Sequence, residues 1–196
     1  MRARFVAVLG VLLTIPMLVP GPAAAGLDDM LDFLAGGAPR GKSPYSLFNM
    51  NAIRRATVTY PTTHKAGTIV INTAERRLYL VNGDGTALRY GIGVGRVGFT
   101  WKGVRTITEK REWPDWVPPP QMLKRRPDLP RHMKGGIENP LGARAMYLGN
   151  TLYRIHGSNE PWTIGTQVSS GCIRMRNEDV IDLYERVKVG TKVVVI

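Results

Sequence analysis

From residue 67 onward the chain is cut into short β-branched and aromatic runs by strong turn residues, a pattern that only a mainly β fold accommodates. Residues 68–72 (Thr, Ile, Val, Ile, Asn) and 77–81 (Arg, Leu, Tyr, Leu, Val) read as strands, and residues 73–76 between them as a hairpin turn. Asn82, Gly83, Asp84 and Gly85 make a second turn, because Asn-Gly and Asp-Gly pairs accept the positive φ that tight hairpins need. Residues 87–94 and 104–109 are further strands, and residues 144–148 and 152–156 form a pair around Gly149 and Asn150. One amphipathic helix is expected on Val180, Ile181, Leu183, Tyr184 and Val187, with Asn177 as its N-cap and Glu178 and Asp179 in its first turn. Gly190 stops it, and residues 192–196 close the sheet. The expected architecture is a β-barrel or sandwich with one or two short helices. The glycines at 91, 93 and 95 precede no helical pattern, which excludes a dinucleotide-binding loop.

The chemistry concentrates further along. The single cysteine, Cys172, lies in Ser169, Ser170, Gly171, Cys172, Ile173, Arg174 and Met175, and His156 stands upstream beside Gly157. A thiol, an imidazole and adjacent glycines are the parts of a cysteine-nucleophile acyl-transfer site. The imidazole takes the thiol proton and later returns a proton to the leaving group. The N–H groups of Gly171 and Cys172 are candidate oxyanion donors. If residues 172–176 are extended, Cys172 and Arg174 share a face while Ile173 and Met175 turn to the core. Arg174 would then favour the thiolate and offer two parallel hydrogen bonds to a substrate carboxylate. On strand parity, Arg154 and His156 share the face opposite Tyr153 and Ile155. A lone cysteine is often only a small buried apolar residue; glycine and arginine neighbours favour a reactive thiol.

Residues 1–25 read as a signal peptide: Arg2 and Arg4, an apolar run over 5–19, then Ala23, Ala24 and Ala25 as a cleavage site. The run is shorter than the ~20 residues a spanning helix needs, so the mature chain has no transmembrane segment. The expected destination is the periplasm or cell envelope. Cleavage lowers the formal charge from +12 to +10. That charge suits anionic wall or lipid groups; scattered basic residues and export argue against a nucleic-acid partner. An exported chain with one cysteine has no internal disulfide, which strengthens the case for a functional Cys172. Residues 26–66 form an N-terminal arm or linker, with a short amphipathic helix over 27–34, and residues 67–196 form the catalytic domain. Trp113, Trp116 and the prolines of 112–120, followed by the basic stretch 122–132, form a long irregular insertion, expected as a lid over the site. His64 and His132 lack ligand-like neighbours, so no metal or other cofactor is expected.

His156, Gly157, Ser158 and Asn159, followed by the Ser169 to Met175 motif, resemble the signature of the L,D-transpeptidase catalytic domain family (YkuD-type, ErfK/YbiS-like): a His-Gly pair, then Ser-any-Gly-Cys, an aliphatic residue and Arg. The resemblance extends over the Trp113–Pro120 and Gly135–Gly142 segments and runs from about Gly67 to the C-terminus. It implies the same β fold, action on peptidoglycan stem peptides, and a role in cell-wall biogenesis. Cys172 would attack the diaminopimelate carbonyl before a terminal D-alanine. The acyl group would then pass to an amine of a second stem or of an envelope lipoprotein. His156 would be the base, Arg174, Ser169 and Ser170 would shape the substrate site with Gly157, and Trp116 would belong to the lid. Residues 97–101 depart from the family's Thr-Pro-rich stretch. Two alternatives keep their place: a carboxypeptidase using water as acceptor, and a non-enzymatic wall-binding protein.

Overall fold

The computed structural model describes residues 54–196; the expected signal peptide and the helix over 27–34 lie outside the described residues. The chain forms β1 (Ala56–Thr59), β2 (Ile69–Asn72), β3 (Arg77–Val81), β4 (Thr86–Gly91), β5 (Val94–Gly95), β6 (Gly103–Glu112), α1 (Pro120–Arg125), β7 (Arg144–Leu148), β8 (Arg154–His156), β9 (Gln167–Ser169), β10 (Ile173–Arg174), α2 (Asn177–Arg186) and β11 (Lys192–Val195). Nine strands form one sheet in the order β1-β4-β3-β2-β11-β6-β7-β8-β10, and β5 pairs with β9. The expected mainly β fold with one or two short helices forms, with two α-helices among the described residues.

Both predicted hairpins are present. β2 and β3 pair antiparallel with Ile69 opposite Leu80, and β3 and β4 with Leu80 opposite Leu88. Alternation sends Ile69, Ile71, Leu78 and Leu80 into the main core, where they meet Ile107, Met146, Ile155 and Ile173. The opposite face of this half carries Val70, Tyr79, Val81 and Ala87, covered by Val58 and Tyr60. The Tyr60 and Tyr79 rings stack at 4.4 Å. That second apolar face explains β1: residues expected to be arm instead complete the sheet by pairing with β4.

The C-terminal strand joins the sheet as expected, and it does so from within. β11 lies mid-sheet, parallel to β2 and antiparallel to β6, joining the two halves through fully buried Val193 and Val195. The segment leaving β4 also reaches the β10 end of the sheet: Gly93 and Arg174 exchange two backbone hydrogen bonds of 2.9 Å. This tie curls the sheet toward a barrel and lays β5 beside β10.

The helix α2 packs Val180 and Leu183 into the core. Asn177 does not cap it. The cap position is Arg176, without a side-chain cap bond. Asn177 Oδ1 instead accepts from the N–H groups of Ala143 (3.0 Å) and Ser158 (3.3 Å), pinning two loops. At the other end, Lys110 Nζ donates to the carbonyls of Tyr184 (2.6 Å) and Val187 (2.7 Å), satisfying helix-end acceptors.

Candidate active site

The site is built on the parallel pairing of β8 and β10, which sets Ile173 beside Ile155 and Arg174 beside His156. Ile155 and Ile173 are buried on the core side. Alternation then turns His156 and Arg174 to the opposite face, and, one step before them, Arg154 and Cys172. Their side chains line a cleft of about 1030 Å³. Ser169 and Ser170 contribute to one wall, and Trp116 reaches it from the proline-rich insertion. The insertion is less irregular than expected. Pro120 occupies the first turn of α1, where its missing N–H costs nothing, so the prolines initiate a helix whose residues Met122 and Arg125 also line the cleft.

The loop carrying Cys172 is held from several directions. Ser169 Oγ donates to the Cys172 carbonyl (2.6 Å) and accepts from the Gly171 N–H (3.1 Å). Trp101 Nε1 donates to the Gly171 carbonyl (2.9 Å), and its ring stacks on Tyr153 at 4.5 Å. Gly171 has φ +108°, and a β-carbon there would stand 2.5 Å from Tyr153 Cε1. Only glycine fits this corner. In the resting structure the Gly171 N–H is therefore taken by Ser169. Gly157 packs against the Gly142–Ala143 segment and Asn177: a β-carbon on it would collide with Asn177 Oδ1.

His156 is buried at the end of β8, and Nδ1 lies 2.7 Å from the carbonyl oxygen of Gly157. A carbonyl only accepts, so Nδ1 carries the proton and Nε2 keeps the lone pair. Burial, with the Arg174 charge adding to it, pushes the imidazole down to about 3. Asp115 plays no part in this orientation; it accepts from His132 Nε2 (3.0 Å) and from the Gly135 N–H (2.9 Å).

The thiol departs from expectation. Burial pushes Cys172 up, outweighing the opposing pull of the Arg154 and Arg174 charges. Arg174 is also matched, with Nη1 2.8 Å from Glu160 Oε2, so it is not a free carboxylate fork. Both shifts favour a neutral thiol beside a neutral imidazole over a preformed ion pair. Cys172 Sγ points to the Leu152 carbonyl at 3.6 Å. Arg154 and Glu160 were not singled out from sequence as site residues. Strand parity already placed Arg154 on the His156 face, but its position next to Cys172 needed the β8–β10 register.

Residues 66–195 match the family model of the L,D-transpeptidase catalytic domain. The probable L,D-transpeptidase ErfK/SrfK of Escherichia coli is 41% identical over 145 residues, 69% of this chain and 46% of that protein. The probable L,D-transpeptidase YbiS of the same organism is 40% identical over 134 residues, covering 64% of this chain and 43% of that one. The chain thus spans less than half the length of these curated relatives. A crystal structure from Brucella melitensis, described as a probable carnitine operon oxidoreductase, is 51% identical with a TM-score of 0.50, covering 73% of this chain and 93% of that one. L,D-transpeptidase 3 of Mycobacterium tuberculosis, 19% identical with a TM-score of 0.51, covers 67% of this chain and 61% of that one and shares its fold.

Proposed function

This chain belongs to the L,D-transpeptidase catalytic domain family, and from that premise we propose that it transfers acyl groups between peptidoglycan stem peptides through a Cys172 thioester. The observation that supports this most is the β8–β10 register, which sets a thiol and an imidazole on one face of neighbouring strands in an open cleft.

The chemistry follows from the resting protonation states. Cys172 Sγ attacks the carbonyl carbon of the diaminopimelate residue as its proton passes to Nε2 of His156. The negative charge on the carbonyl oxygen is met by the Cys172 N–H, and by the Gly171 N–H once it turns from Ser169. The tetrahedral intermediate collapses with cleavage of the C–N bond. The imidazolium gives its proton to the departing D-alanine amine, leaving a thioester. An incoming amine then attacks, His156 takes its proton, and the returning sulfur receives it. With burial pushing the imidazole down and the thiol up, proton transfer is uphill at rest, so it proceeds together with formation of the S–C bond and is reversed within each half-reaction. Arg154, next to Cys172, stabilises the sulfur as charge develops on it.

Action in the periplasm or envelope follows from the leader-like residues 1–25. Among the described residues no helix is long and apolar enough to cross a membrane. Of the arm expected over residues 26–66, Ala56–Thr59 join the sheet as β1. The glycine-rich residues 91–98 form the end of β4, the Gly93 bridge and β5, with no helix after them. The oxidoreductase description of the Brucella relative is therefore not carried over.

The test is product analysis on a stem tetrapeptide with a labelled diaminopimelate amine, with a lipoprotein-type lysine amine in parallel. Release of D-alanine with label in the product supports transfer. Release without label identifies water as the acceptor, and no release overturns the acyl-donor assignment.

A further inference from the structure

The turn between β5 and β6 carries a cationic feature that the proposed chemistry does not use. Phe99 closes this turn by donating its N–H to the Arg96 carbonyl (2.9 Å). The Arg96 N–H donates to the Ser169 carbonyl (3.0 Å), so the turn is tied to the strand that leads into Cys172. The Arg96 guanidinium lies 4.5 Å from the Phe99 ring centroid. The last turn of α1 brings a second guanidinium, Arg125, to 5.6 Å from the same ring. All three residues line the cleft that holds Cys172.

Two like charges gathered on one ring repel each other, and among the described residues neither has a carboxylate partner. Two other arginines of the cleft are matched: Arg126 with Asp128 at 2.8 and 2.6 Å, and Arg174 with Glu160. Contact with a ring does not consume the N–H donors of either guanidinium. An arriving carboxylate would relieve the repulsion and accept charge-assisted hydrogen bonds from two separate chain segments.

We infer that Arg96 and Arg125, on the shared platform of Phe99, form a carboxylate-binding subsite that selects acidic stem peptides over amidated ones. This rests on the functional reading above. The carboxylate can belong to the acyl donor or to the acceptor, and two experimental arms separate them. In the first, the Cys172→Ala chain binds a stem tetrapeptide with free carboxylates or its amidated counterpart, with no turnover. In the second, the active chain transfers to an acidic or an amidated acceptor from a common donor. The subsite predicts about a 10- to 100-fold preference for the acid in one arm. The Arg96→Gln/Arg125→Gln double variant should collapse that ratio toward one, while Arg111→Gln, removal of a positive charge outside the cleft, leaves it intact. A ratio unchanged in the double variant, or no preference in either arm, overturns the inference. If the Cys172→Ala chain binds neither peptide, the functional reading fails and the inference with it.

Discussion

Replacing Trp101 by Phe isolates one bond of the nucleophile loop. The substitution keeps an aromatic ring stacked on Tyr153 and packed on the core, but removes the Nε1–H that donates to the Gly171 carbonyl at 2.9 Å. A part-buried carbonyl left without its donor costs about 1–3 kcal/mol. The loop keeps the Ser169 bonds to Gly171 and Cys172, so it loosens without unfolding. A nucleophile displaced by a fraction of an ångström toward a neutral imidazole loses rate steeply, by as much as about 100-fold per ångström. The expected outcome is a fall of roughly 10-fold in the acylation rate and about 1–2 kcal/mol in stability. Single-turnover acylation followed by intact mass, beside urea unfolding, reads both. Adding Ser169→Ala should give more than additive loss, since both residues fix the same loop. An unchanged acylation rate with lowered stability would refute the reasoning, because the bond would then be structural only.

Lys110→Met tests the helix-end clamp. Loss of two charge-assisted bonds to the α2 carbonyls and of the contact with the Tyr184 ring (4.0 Å) should lower stability by about 2–3 kcal/mol in urea unfolding, with little change in acylation. A loss below about 0.5 kcal/mol, the range of ordinary surface substitutions, would show that water replaces the ammonium. The buried imidazole makes stability pH-dependent. His156 folds at about 3 against 6.5 for the free side chain, so the unfolded chain binds the extra proton between those values. Stability is full above pH 6.5 and falls by about 1.4 kcal/mol per pH unit below it. Asp179, whose carboxyl burial pushes up, works in the opposite sense. Compared with His156→Gln, the parent should lose about 2–3 kcal/mol more between pH 6.5 and 4.5. Parallel curves for the two proteins would mean that the imidazole is solvated.

What sequence reading captured was local. Hairpin turns at 73–76 and 82–85 carry their own chemistry, β-branched and aromatic composition marks β2 and β3, and strand parity puts Arg154 on the His156 face of β8. What it missed depends on which strands meet. No local signal tells that residues 192–195 lie mid-sheet, or that β10 pairs parallel with β8. Without that register Arg154 is only a charged strand residue, and with it Arg154 stands beside the thiol. Asn177 shows a local rule overridden: a good cap by type, its side chain is drawn off by Ala143 and Ser158. Arg174 shows the same for charge. Its proximity to the cysteine follows from spacing, but its pairing with Glu160 and the burial of the thiol decide the protonation state, and neither is written locally.

The most direct measurement is the intact mass of the protein after incubation with a carbapenem, whose strained acyl group stands in for the donor carbonyl, beside Cys172→Ala. The account predicts one stable adduct per chain, absent from the variant. A folded protein whose thiol reacts with a small alkylating reagent but never with the carbapenem would contradict it, as would an equal adduct on Cys172→Ala.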